Sequence, residues 1–144
     1  MGDGNSLINL GDLSKPATVL IEKVSSAVGI IYEPYHVKRM ARAEAEVDKI
    51  KALAKIELTE LEHRALDRFV QQEARKQKNI ENITAQAAAS LPHDAKVENL
   101  DEDWVAHFFK QCDTVSDSEM QSLWSRLLSG EAANPGTYSK RTVD

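Results

Sequence analysis

From His36 to Ser90 the chain runs for 55 residues without a proline or a glycine. No other feature constrains the fold as much, because both helix-breaking residues are absent while the apolar positions keep a helical beat. Val47, Leu58, Phe69 and Ile80 recur every eleven residues, and so do Ile50 and Leu61, with Gln72 interrupting that series before Ile83. Ala43, Ala54 and Ala65 keep the same interval. Eleven residues make three turns at about 3.67 residues each, close to the natural helix, so the stripe runs nearly straight along one side. A shorter stripe of Leu53, Ile56, Leu66 and Val70 flanks it. The pattern predicts one very long helix over residues 34–90, roughly 80 Å at about 1.5 Å per residue. Such a helix needs something over its stripe: a second copy, another helical protein, or the first helix folded back. Val47, Ile50, Ala54, Leu58, Leu61, Ala65 and Phe69 form the expected assembly interface.

Ahead of that helix, residues 1–13 carry three glycines and two asparagines and no sustained period, and they read as a mobile arm. Residues 14–33 read as a short amphipathic helix. Ser14 is its cap and Pro16 stands at an early position that tolerates a missing N–H. Ala17, Leu20, Ile21, Val24, Ala27, Val28 and Ile31 share one face, opposite Glu22, Lys23, Ser25 and Ser26. Pro34 then predicts a break near Glu33, since the residue before a proline avoids the helical region. Two surfaces suit the apolar face. A protein partner is the ordinary one, because amphipathic helices usually serve cores. An anionic membrane is the other: Leu20, Ile21, Val24, Val28 and Ile31 would dip in, Tyr32 and Tyr35 would lie at headgroup level, and Lys38, Arg39 and Arg42 would meet lipid phosphates. The segment is shorter than the roughly 18 apolar residues that spanning requires, so it would lie on a bilayer and not cross it.

Beyond Leu91-Pro92 the spacing predicts an acidic helical hairpin over 91–131. Asp101 caps a helix bearing Trp104, Val105, Phe108, Phe109 and Cys112. Ser116 and Glu119 resemble a capping box opening a second helix, with Met120, Leu123, Trp124, Leu127 and Leu128 inward and Gly130 as its stop. Nine acidic against three basic side chains, a net of −6, concentrate the acidity of the chain here. An aromatic core of the hairpin's own is expected. Residues 132–144 read as a loop and the start of a further helix, capped by Thr137 or Ser139, which suggests a piece of a longer protein.

Net charge is −5 over 144 residues, and the long helix is nearly balanced, so neither feature offers a phosphate-binding surface or a base-reading module. No nucleic-acid partner is expected. Gly130–Thr137 superficially resembles a phosphate loop, but it lacks the lysine and the preceding strand that such a loop requires, and a proline–glycine turn explains it. Cys112 is the only cysteine, which excludes an intrachain disulfide. It lies on the Phe108/Phe109 side as a small core hydrophobe and does not converge with His107 as nucleophile and base. Asp103 and His107 stand one turn apart, yet two ligands without a third make a poor metal site. No catalytic, cofactor or metal residues are assigned.

Residues 123–142, LWSRLLSGEAANPGTYSKRT, and residues 13–46 resemble a bacterial family catalogued as a domain of unknown function, number 2806. The resemblance implies carriage by prophages or mobile elements and a setting in phage defence; it brings no established catalytic residues. The expectation is a cytoplasmic, non-enzymatic helical assembly or interaction protein, peripheral at the inner membrane if the first helix meets lipid. Two alternatives stand beside it: a membrane-acting defence effector using residues 17–32, and the regulatory N-terminal part of a longer protein.

Overall fold

The computed structural model describes residues 14–29, 44–50, 52 and 59–138. They form four α-helices, α1 (Lys15–Val28), α2 (Glu60–Ala89), α3 (Glu102–Cys112) and α4 (Ser118–Ala133), with a 3-10 turn at Val97–Asn99 and a helical stretch over 44–50. No strand occurs among the described residues, and the fold is all-α as expected. Residues 1–13, expected to form an arm, and the tail from 139 onward lie outside the described residues.

The helices alternate in direction. Lys15, Pro16 and Val19 at the start of α1 line a cleft with residues 93–96 and Glu98, just past the end of α2. Asn79 of α2 reaches the Asp113 carbonyl at the end of α3, with Nδ2 donating at 2.9 Å. Its Oδ1 accepts from Gln121 Nε2 in the first turn of α4 at 3.1 Å. The end of α4 meets the 92–99 segment again. The result is an up-down-up-down bundle in which α4 lies along α2 and α3 lies along α1.

One core serves all four helices. Leu20 and Val24 of α1, Ile83 and Ala87 of α2, Val105, Phe108 and Phe109 of α3, and Leu128 and Ala132 of α4 are buried together. Each large aliphatic or aromatic side chain removed from water in this way contributes about 1.5–3 kcal/mol before entropy is subtracted. Phe108 organises the aromatic part: it stacks on Trp104 at 5.2 Å and meets Phe109 and Trp124 edge-on at 4.9 and 5.5 Å. The C-terminal hairpin therefore has no core of its own. Its two helices touch each other only lightly and pack chiefly on α1 and α2.

Several expectations need correction. The long helix begins at Glu60, not at residue 34. Thr59 is extended (φ −65°, ψ 159°) and forms a capping box: its Oγ1 accepts from the Glu62 N–H at 3.2 Å, and Glu62 Oε1 accepts from the Thr59 N–H at 3.2 Å. Thr59-Glu-Leu-Glu62 is a helix start concealed in a stretch without proline or glycine. In one straight helix residue 47 would stand about 30 Å from residue 67. Val47 is instead buried and lines a surface cavity with Asp67, Val70 and Gln71, so the chain doubles back.

The first helix stops at Val28, short of residue 33, because Gly29 (φ 100°, ψ 174°) takes a conformation that side-chain-bearing residues avoid. Its N–H still closes the last turn onto the Ser25 carbonyl at 2.9 Å. Ser14 caps α1 as expected, with Oγ accepting from the Ala17 N–H at 3.3 Å. Asp101 caps α3 through the Asp103 N–H at 2.9 Å. The cap of α4, however, is Asp117 and not Ser116, with Oδ2 accepting from the Met120 N–H at 3.3 Å. Gly130 does not stop α4, which continues to Ala133.

Truncating the α1 face should cost as much as any core position. Leu20→Ala is expected to lower stability by about 2–5 kcal/mol in urea denaturation. Glu22→Ala, on the exposed face, should stay within about 0.5 kcal/mol of wild type. Equal midpoints for the two variants would show that α1 is not a core helix.

Candidate functional site

The apolar face of α2 has two fates. From Gln77 to Ala88 it is covered: Gln77, Asn79, Ile80, Ile83, Thr84, Ala87 and Ala88 are all buried. From Glu60 to Lys76 the same face is largely bare. Phe69 lies eleven residues before Ile80, hence about 20° from it around the helix, yet Phe69 is 49 % exposed and Ile80 is buried. Leu61 is 67 % exposed, Ala65 is exposed, and Leu66 and Val70 are half-buried.

Of the expected assembly residues, Leu61, Ala65 and Phe69 thus form an open strip, and Ile50 is 48 % exposed on the 44–50 stretch. Val47 is not available, because it is buried beside Asp67 and Val70. Ala54 and Leu58 lie outside the described residues. The expected membrane or partner contacts fare differently. Leu20, Ile21 and Val24 are buried in the bundle core, with Val28 packed at its edge. They are core residues and not an outward face, because α1 folds back onto the chain's own α2 and α3. Ile31, Tyr32, Tyr35, Lys38, Arg39 and Arg42 lie outside the described residues. No helix among the described residues is long and apolar enough to cross a membrane.

A polar clasp marks the boundary between the covered and the bare halves. Asn79 is buried and fully engaged: besides Asp113 and Gln121 it donates to Ser116 Oγ at 3.2 Å. Arg75 Nε donates to the same hydroxyl at 3.3 Å, and Gln121 Nε2 also donates to the Val115 carbonyl at 2.8 Å. These bonds fix the 113–117 connection against one turn of α2. They also set the first turn of α4 beside the end of the bare strip, where Met120 is exposed. Met120 and Leu123 point outward, contrary to expectation, because the buried residues of α4 are Gln121, Ser125, Leu128, Glu131 and Ala132. Three of these five are polar, so a reading by hydrophobicity alone rotates the helix.

The second organised feature is the segment following α4. Glu131 is only 3 % exposed, and its two oxygens accept from the Gly136 and Tyr138 N–H groups at 2.8 and 2.7 Å. Gly136 (φ 97°) makes the turn. Tyr138 closes over Gly130 so tightly that a Cβ there would stand 3.1 Å from the ring. Gly130, Glu131, Gly136 and Tyr138 therefore form one unit: a buried carboxylate that folds the Asn134–Tyr138 loop onto the helix. A family model described as a protein of unknown function, DUF2806, matches residues 63–144. The chain belongs to the DUF2806 family. The 123–142 block falls inside the matched segment and the 13–46 block outside it. No curated protein and no solved structure matches the chain.

Chemically the described residues offer little reactivity. Burial pushes the Cys112 thiol far up, with the Asp113 carboxylate adding to the shift, so it is held as a neutral thiol. Asp113 itself is raised by burial against the lowering effect of Lys76. Among the described residues no three His, Cys, Asp or Glu side chains gather where they could hold a metal ion.

Sequence reasoning missed both Asn79 and Glu131. The available signals were polar residues at core phase on α2, and an acid preceding Asn-Pro-Gly. Glu131→Ala would leave two backbone N–H groups without their acceptor, at a cost of about 1–3 kcal/mol. Glu131→Gln, which keeps one acceptor oxygen, should lose less. Urea denaturation with hydrogen exchange at the Gly136 and Tyr138 amides checks this; unchanged exchange in Glu131→Ala would contradict the loop assignment.

Proposed function

We propose that this DUF2806 protein is a non-enzymatic helical assembly protein that self-associates through the bare half of α2. One observation carries the proposal: the face that builds the bundle core continues past the bundle, with Leu61 and Phe69 left in water. A row of large apolar side chains left exposed along a helix marks a surface that another molecule covers. The chain itself covers one half. The 44–50 stretch lies against Asp67, Val70 and Gln71 and leaves the Leu61–Phe69 edge open.

A non-catalytic role is consistent with the deeply buried, neutral Cys112. The setting we propose, a bacterial mobile element or phage-defence system in the cytoplasm, rests on the family resemblance alone. A lipid-facing role for residues 17–32 would first have to extract Leu20 and Val24 from the core.

Light scattering after size exclusion tests self-association. Wild type should elute above the mass of one chain, and Leu61→Glu/Phe69→Glu should elute as a single chain with an unchanged helical circular-dichroism signal. A wild type that stays monomeric at high micromolar concentration would refute the proposal.

A further inference from the structure

We infer that two copies pair through the bare part of α2 in antiparallel orientation, with Phe69 on the two-fold axis. The inference rests on self-association through this strip and adds the geometry of the pair. Glu62, Phe69 and Lys76 are spaced seven residues apart, so they lie along one edge with only about 20° of drift per step. An antiparallel pair centred on Phe69 sets Glu62 of each copy against Lys76 of the other, twice per dimer. A parallel pair in register sets Glu62 against Glu62 and Lys76 against Lys76. Exposed ion pairs add little affinity, but like charges in register penalise the wrong arrangement, so the pattern selects orientation.

Length gives a second, independent argument. Thr59 and Asn79 are each ten residues from Phe69. In the antiparallel pair the capped start of one α2 therefore arrives opposite the Asn79 clasp of the other, where the bundle begins. An uncapped helix running on toward residue 34 would collide with that bundle; the Thr59 cap ends α2 where the available surface ends. The same placement brings Leu61 to the shoulder at the first turn of α4, where Met120 is exposed. Glu62 uses Oε1 in its cap with Thr59, and its Oε2 is the oxygen offered to Lys76. The hydrogen bonds of that cap hold the Glu62 carboxyl below its usual range and keep it ionised.

Disulfide trapping distinguishes the orientations. Ala65 and Gln72 are exposed and lie on the strip on either side of Phe69, so replacing them removes no core contact. Cys112 is buried and out of reach of an oxidant, so no other change is needed. The full-length Ala65→Cys and Gln72→Cys chains are each oxidised alone, and also after mixing and subunit exchange. The antiparallel pair predicts that the mixture yields a cross-linked dimer joining one chain of each kind, at least tenfold above either chain alone. Strong cross-linking of Ala65→Cys alone, or a dimer by light scattering with no cross-link in the mixture, would overturn the orientation while leaving self-association intact. A monomer by light scattering would remove the underlying proposal as well.

Discussion

The apolar face of α2 is the constraint on which the rest of the structure depends. It is longer than the bundle that covers it. Over Gln77–Ala88 it is closed by α1 and α4 with α3 behind them, and this closure fixes the alternating direction of all four helices. Over Glu60–Lys76 it stands out from the bundle by about 25 Å, at about 1.5 Å per residue. Both halves obey the same physics, since apolar surface left in water is unfavourable in proportion to its area. The chain satisfies one half internally, and the other half is the source of the proposed assembly.

What divides the halves is polar. A buried Asn79 with partners on α3, α4 and the connection between them is tolerated only when every bond is made, and here the bonds come from three segments at once. Such a clasp accepts one register of α4 on α2 and no neighbouring one. It therefore does more than stabilise, because it decides where the covered half stops and where Met120 emerges. The Glu131 loop acts similarly at the opposite end of α4, folding the following segment back through two backbone N–H groups.

Much of this could be read from the residues. The all-α class, the caps at Ser14 and Asp101, the end of α2 before Pro92 and the burial of Cys112 all follow from local chemistry that tertiary structure did not override. The failures have specific causes. Thr59-x-x-Glu62 is a capping box inside a stretch whose composition favours helix on both sides, so no proline or glycine marks the start of α2. Gly29 ended α1 before Pro34 could. On α4 Trp124, Leu127 and Leu128 pack inward as expected, but Met120 and Leu123 do not, because the packed face also takes in Gln121, Ser125 and Glu131, whose hydrogen bonds carry no hydrophobic signature. For the strip itself, the period located the face but could not show where along it the chain would run out of cover.

The segment matched by the DUF2806 model starts at His63 and leaves out α1, although Leu20 and Val24 of α1 complete the core. The folding unit is thus larger than the matched segment, and the bare strip lies almost wholly inside that segment. Hydrogen–deuterium exchange of the wild-type chain across a concentration series tests the covering of that strip most directly. Covering by a second copy predicts that amides from Leu61 to Arg75 gain protection as concentration rises, while those of Ile83–Ala88 stay equally protected throughout. Exchange at Leu61–Arg75 that is the same at every concentration would contradict it.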